Sequence, residues 1–120
     1  MDFVSFEIAK KLKEKGYGES WDYVYNDDGV ICIPCYNLTE EDTIPMCPAP
    51  QIHEVLKWLR EEKNLFIDIS LCAKGYYGMV YSTIFPKDKD FSDGWLIDGK
   101  YPTYEKASLA GIEYVLNNLI

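Results

Sequence analysis

The chain has 120 residues, a length that suits one domain better than two independent cores. It carries 20 acidic and 12 basic side chains, for a formal net charge of −8 at pH 7. This acidity argues against a general nucleic-acid binder and against docking on anionic membranes, because both depend on lysine and arginine. Hydrophobic residues make up 48 % of the chain, which is typical of a folded protein.

No apolar run is long enough to span a bilayer, and the N-terminus lacks the pattern of a signal peptide. We therefore expect a cytoplasmic protein with reduced cysteines.

The N-terminal half predicts a helix followed by a hairpin. Apolar residues at helical spacing predict a helix from about Ser5 to Lys15, with Ser5 as the N-cap and Gly16 as the stop. Residues 21–25 and 30–36 flank an Asn-Asp-Asp-Gly turn, which predicts a β-hairpin. Pro34 has no N–H to donate, so the second strand is expected to be an edge strand or to end there.

A proline-rich segment and a second helix come next. Residues 37–50 contain several prolines, which favour irregular extended backbone. An amphipathic helix is predicted over residues 50–63. Its apolar stripe consists of Ile52, Val55, Leu56 and Leu59.

The C-terminal part predicts three strands and a helix. Residues 65–73 alternate in polarity, so Ile67, Ile69, Leu71 and Ala73 are expected to share a buried face. The next strand, 76–85, is apolar on both faces, which favours a central position or a contact surface. A short strand is expected at 95–98, closed by Gly99. The last helix, 103–118, presents Leu109, Ile112 and Leu116, and its small residues Ala107, Ala110 and Gly111 would allow close approach to a sheet.

These elements predict a single small α+β domain over residues 1–120, with a mainly antiparallel sheet and about three helices. The expected order is α-β-β-α-β-β-(β)-α. The helices at 50–63 and 103–118 are expected to pack on one face of the sheet.

Three cysteines and the one histidine suggest a metal site. Cys32, Cys35, Cys47 and His53 follow a C-x2-C-x11-C-x5-H spacing, and three thiolates with an imidazole can bind zinc tetrahedrally. The alternative is that the cysteines are small apolar residues of a reduced core. We favour that alternative, because the spacing differs from common zinc patterns and a regular strand would point Cys32 and Cys35 to opposite faces.

The sequence offers little support for an enzyme. No serine lies in a nucleophile elbow, and the 20 acidic residues are too many for any pair to be informative. We assign no catalytic residue and no cofactor.

Aromatic residues form the other candidate site. Tyr76, Tyr77, Tyr81 and Trp95 would provide rigid contact area with polar tips, as binding surfaces often do. The alternative is that most of these side chains pack in the core or cover it.

Several segments resemble small hypothetical proteins encoded by phages and mobile elements of gut Bacteroidetes. They are SFEIAKKLKEKGY, APQIHEVLKWLREEKNLFIDI, YYGMVYSTI and YPTYEKASLAGIEYVLNNLI. The resemblance implies a phage or prophage context, with the protein in the cytoplasm of a bacterial host cell, and no particular activity. The order helix–strand–strand–strand–helix over 51–119 also resembles a double-stranded-RNA-binding domain, although the last helix begins with Lys106 as its one basic residue.

Three functional hypotheses follow. The first is a non-catalytic interaction protein of a phage or prophage, whose partner has a basic surface or is a second copy of the chain. The second is a zinc-binding or small-molecule enzyme built on Cys32, Cys35, Cys47 and His53. The third is RNA binding through the C-terminal half.

Overall fold

The computed structural model describes residues 2–33, 47–82 and 95–120. These residues contain three helices and six strands. At Trp95 and Asp98 only the backbone is described. The strands pair antiparallel, so the predicted α+β class is confirmed. The elements are α1 (Phe6–Glu14), β1 (Val24–Tyr25), β2 (Ile31–Cys32), β3 (Cys47–Pro48), α2 (Ile52–Glu62), β4 (Leu65–Cys72), β5 (Gly75–Ser82), β6 (Trp95–Tyr101) and α3 (Tyr104–Asn118).

The chain divides into two units, Met1–Gln51 and Ile52–Ile120. The first unit contains α1 and a sheet with the strand order β2-β1-β3, which we call the first sheet. The second unit contains α2, α3 and the second sheet, with the order β4-β5-β6. The predicted order helix–strand–strand–strand–helix for residues 51–119 is confirmed.

Local hydrogen bonds fix both ends of α1. The Ser5 side chain accepts from the Ile8 N–H at 3.2 Å, as an N-cap residue does. At the other end Gly16 has a φ of +93°, and the N–H groups of Gly16 and Tyr17 donate to the carbonyls of Lys13 and Leu12. These bonds satisfy carbonyls that the end of the helix would otherwise leave free. The predicted cap and stop are therefore confirmed.

Asn26 organises the turn of the predicted hairpin. Its side-chain oxygen accepts from the N–H groups of Asp28 at 2.9 Å and Val30 at 3.0 Å. Gly29 follows with a φ of +76°, which glycine adopts without strain. The hairpin is confirmed, and β2 lies at an edge of the first sheet. Pro34 and the rest of the predicted strand beyond residue 33 lie outside the described residues.

The end of the proline-rich segment is a strand, so the prediction of irregular backbone was wrong for Cys47 and Pro48. These two residues pair with Tyr25 and Val24 of β1. A proline is tolerated there because β3 is an edge strand, where a missing N–H need not break a ladder bond. The Pro50 carbonyl then accepts from the Val4 N–H at 3.0 Å. The preceding residues of the segment lie outside the described range.

The second sheet has β5 at its centre, as the apolar character of both its faces predicted. It pairs with β4 from Leu65–Ser82 to Cys72–Gly75, and with β6 on its other side. Both α2 and α3 contact this sheet, and they contact each other. The buried side chains of Ile67, Val80 and Ile97 lie on the face that α3 covers. Packing of both helices on one sheet face is therefore confirmed.

Two details of this sheet differ from prediction. Leu71 is 69 % exposed, and Ala73 is exposed in the turn, so the buried face of β4 does not extend to its end. Gly99 does not close β6, because the strand continues to Tyr101, which pairs with Tyr76. Gly99 instead lies in a bulge, where its φ of +105° accommodates the shift in register. The predicted end of β5 at residues 83–85 and the loop over 86–94 lie outside the described residues.

The helix α3 approaches the sheet most closely at Gly111. A Cβ placed on Gly111 would lie 2.9 Å from Ile67 Cγ2 and 3.1 Å from Ile97 Cδ1. Both distances are shorter than ordinary contacts, so glycine allows this helix to lie directly on the two isoleucines. The prediction that small residues permit close approach is confirmed at this position.

The variant Gly111→Val is expected to destabilise the protein by about 1–3 kcal/mol through overpacking. Valine is a better helix former than glycine, so the loss would come from packing rather than from helix propensity. The measurement is chemical unfolding followed by circular dichroism.

Ala110→Val is the matched control, because it adds bulk at the neighbouring, partly exposed position of α3. Equal stability losses in the two variants would contradict the role of Gly111.

Candidate interaction surface

The sheet face opposite the helices carries a group of apolar and aromatic side chains, which we call the outer face. Phe66 is 39 % exposed and Leu96 is 55 % exposed, while the others are partly exposed. Strand alternation places these residues on the side opposite Ile67, Val80 and Ile97. The apolar and aromatic members of the outer face are Phe66, Tyr77, Met79, Tyr81 and Leu96. Asp68 and Ser70 of β4 lie on the same face, paired with Met79 and Tyr77.

Strand register brings these side chains together across the sheet. Phe66 pairs with Tyr81, and Met79 pairs with Leu96. Paired residues on one face of an antiparallel sheet have Cβ atoms about 5 Å apart. The Lys100 ammonium lies 4.7 Å from the centre of the Tyr77 ring, in a cation–π contact at the side of the face. The outer face is thus a continuous surface rather than a set of scattered exposed residues.

The four aromatic residues selected from the sequence do not share one surface. Tyr77 and Tyr81 lie on the outer face. Tyr76 lies on the other side of β5, where its ring contacts that of Tyr104 edge-on at 6.3 Å. Trp95 is the first residue of β6, and its backbone pairs with Val80.

Sequence reasoning missed Phe66 and Leu96 as members of this surface. Phe66 lies in β4 opposite Tyr81, and this pairing follows from the two-residue turn between Cys72 and Gly75. Counting back from that turn would have placed Phe66 beside Tyr81. The register of β6 had no such signal, because its bulge shifts the pairing between Tyr76 and Gly78.

The structure does not bring together the described cysteines of the predicted metal set. Cys32 pairs with Val24 and Cys47 pairs with Tyr25, so β1 separates them and their side chains alternate to opposite faces of the first sheet. Their Cα atoms are about two strand spacings apart, or roughly 10 Å. His53 is exposed in the first turn of α2, in the other unit, and Cys35 lies outside the described residues.

A cavity of about 260 Å³ lies in the first unit beside Cys47. Phe6 and Tyr25 form its aromatic walls, and their ring centres are 5.2 Å apart. Lys10 lies over the Phe6 ring and forms an ion pair with Glu7 at 3.0 Å. The Tyr25 hydroxyl donates to the Val4 carbonyl and so fixes one wall of the cavity.

Burial favours the protonated form of the Cys47 thiol. It raises the pKa of Cys47 above the ordinary 9.0, while the charges of Lys13 and Lys10 and a backbone N–H of Tyr25 partly oppose that effect. Burial also raises the pKa of Tyr25, and the nearby Cys47 adds to this. Since the thiolate is the reactive form, this environment disfavours Cys47 as a nucleophile.

No protein-family model, curated protein or solved structure matches this chain. Within residues 2–33, 47–82 and 95–120, no three histidine, cysteine or acidic side chains are grouped so as to hold a metal ion. Among those same residues, no helix has the length and apolar character needed to cross a membrane.

The raised pKa of Cys47 predicts a specific dependence of stability on pH. Above pH 9.0 the unfolded chain loses the thiol proton while the folded chain keeps it, so the free energy of unfolding falls as the pH rises. The contribution is present in full below pH 9.0 and is lost as the pH rises through the pKa of the folded state. Urea unfolding from neutral to alkaline pH would measure it.

The variant Cys47→Ala is expected to lose less stability than the wild type over the alkaline range. Tyr25→Phe removes the other group with a raised pKa. Above pH 10.0 it should further reduce the fall in the free energy of unfolding with rising pH. Parallel curves for the wild type and Cys47→Ala would contradict the protonated, buried thiol.

Proposed function

We propose that this protein is a non-catalytic protein-binding module and that the outer face of the second sheet is its contact surface. The observation that carries the proposal is a continuous apolar and aromatic face with Leu96 55 % exposed at one side and Phe66 39 % exposed at the other. Exposed patches of this kind mark interaction sites in proteins. Tyrosine and phenylalanine are also enriched at protein interfaces, and tyrosine is common among the residues that carry most of the binding energy.

Charge favours a protein over a nucleic acid as the partner. The charged residues described at the outer face include Asp68, which is paired with Met79 on that face, and Lys100, which lies over Tyr77. One carboxylate and one ammonium do not provide the positive potential that follows a phosphate backbone. The whole chain, with a net charge of −8, would repel nucleic acid.

The partner in this proposal has a basic surface. Residues 1–51 carry ten acidic and four basic side chains, whereas residues 52–120 carry ten acidic and eight basic ones. The excess of negative charge therefore lies mainly in the first unit. Long-range attraction by this charge would raise the rate of encounter with a basic protein, while the outer face provides the contacts that hold it.

A phage or prophage gene as the source is part of the proposal. Its support is the resemblance of the segments SFEIAKKLKEKGY, YYGMVYSTI and YPTYEKASLAGIEYVLNNLI to small proteins of such elements. Such a protein would act by binding a host or phage protein.

The variant Leu96→Asp tests the outer face as the contact surface. A charge placed within an apolar interface carries a large desolvation cost, so this variant should lose a partner that the wild type retains from a lysate of the cells carrying its gene. The released partner, once purified, should bind Tyr81→Ala roughly 10- to 30-fold more weakly than the wild type. Biolayer interferometry at two salt concentrations would measure both affinity and salt dependence.

Val30→Asp is the matched control, because Val30 is 56 % exposed and lies in the turn of the first hairpin. It should retain the partner. The proposal fails if Leu96→Asp and Val30→Asp bind alike, or if the retained protein is not basic and its binding is insensitive to salt.

A further inference from the structure

The outer edge of β4 is a long strand edge without a neighbour among the residues that the structure describes. β4 runs for eight residues, Leu65–Cys72, and pairs with β5 on one side. Its one charged residue is Asp68, and it contains neither proline nor bulge. Edges with these properties readily pair with another strand, because their N–H and C=O groups are unused.

The opposite edge of the same sheet is protected in the ways that β4 is not. β6 contains a bulge with Gly99 at a φ of +105°, followed by the exposed lysine Lys100. A bulge and a lysine both discourage edge-to-edge pairing. The contrast between the two edges points to β4 as a pairing strand.

The hairpin determines which backbone groups of β4 point away from β5. Two residues separate Cys72 from Gly75, so these two form the hydrogen-bonded pair that closes the turn. Alternate residues of β4 then direct their N–H and C=O groups away from β5. They are Leu65, Ile67, Ile69 and Leu71.

We infer that β4 pairs antiparallel with β4 of a second copy of this chain, with Ile69 on the two-fold axis. In that register Ile69 forms a hydrogen-bonded pair with the partner's Ile69. Ile67 lies opposite the partner's Leu71, which covers a leucine that is 69 % exposed in one copy. The paired sheets form one continuous sheet, with both outer faces on the same side.

Charge favours this register over the one that places Asp68 on the two-fold axis. With Ile69 on the axis, Asp68 lies opposite the partner's Ser70, whose hydroxyl can donate to the carboxylate. With Asp68 on the axis, two carboxylates would face each other in a non-hydrogen-bonded pair with Cα atoms about 4.5 Å apart. Like charges placed directly opposite destabilise a sheet, so that register is disfavoured.

This inference does not depend on the proposed function. It uses the edge of β4, whereas the proposed contact surface is the outer face, and Leu96 lies at the far edge. A protein that self-associates and binds no partner would retain the inference and refute the proposed function. A protein that binds a partner as a monomer would do the reverse.

Two substitutions of Ser70 test the register. Ser70→Lys should strengthen the dimer about fivefold, because it places an ammonium opposite each copy's Asp68, and Ser70→Asp should weaken it about fivefold. Sedimentation equilibrium of the full chain over a range of concentrations would give the dissociation constants. Ile69→Pro removes an N–H that points away from β5 and should abolish association, and circular dichroism would verify that each variant folds.

Amide hydrogen exchange would show which edge of the second sheet forms the dimer contact. The N–H groups of Ile67, Ile69 and Leu71 should become more protected as the protein concentration rises, while that of Leu96, on the opposite edge, should not. A wild type that remains monomeric at all concentrations would overturn the inference. Dissociation constants that do not differ between Ser70→Lys and Ser70→Asp would also overturn it.

Discussion

The close contact between α3 and the second sheet is the constraint on which the rest of the second unit depends. Gly111 has no Cβ, so the backbone of α3 can rest on Ile67 and Ile97. That contact aligns α3 with the sheet face that carries Ile67, Val80 and Ile97, where α2 also packs. Because α2 and α3 both pack on one face of the sheet, none of the described helices of this unit covers Tyr77 and Tyr81 on the other face. The exposed aromatic face thus follows from how the helices pack.

Helices and turns could be predicted from the sequence because their signals are local. Ser5 and Thr103 cap α1 and α3 by accepting from N–H groups three residues ahead, at 3.2 and 3.1 Å. Asn26 forms its turn through bonds to residues two and four positions away. Each of these interactions requires a residue type and a short spacing, both of which are visible in the chain. The bounds of the three helices were therefore predicted to within about two residues.

Strand partners and exposed faces were harder to predict because they depend on distant residues. Cys47 and Pro48 become a strand through pairing with β1, more than twenty positions earlier, and proline content alone argued against it. Leu71 continues the alternation of Ile67 and Ile69, yet it is exposed because the cover of the sheet ends before it. The candidate surface was predicted only in part, because its membership also depends on which strands pair. Tyr77 and Tyr81 were identified from their own strand, whereas Phe66 and Leu96 required the register of the neighbouring strands.

The strand β4 links the two surfaces inferred for this protein. Its residue Phe66 belongs to the outer face, and its backbone edge is the proposed dimer contact. Pairing through Ile69 would place two outer faces side by side in a continuous sheet. A partner that presents two sites would then bind both faces, and the second contact would form at a high effective concentration. Self-association at the edge can therefore raise the affinity of the face without any new contact on the face itself.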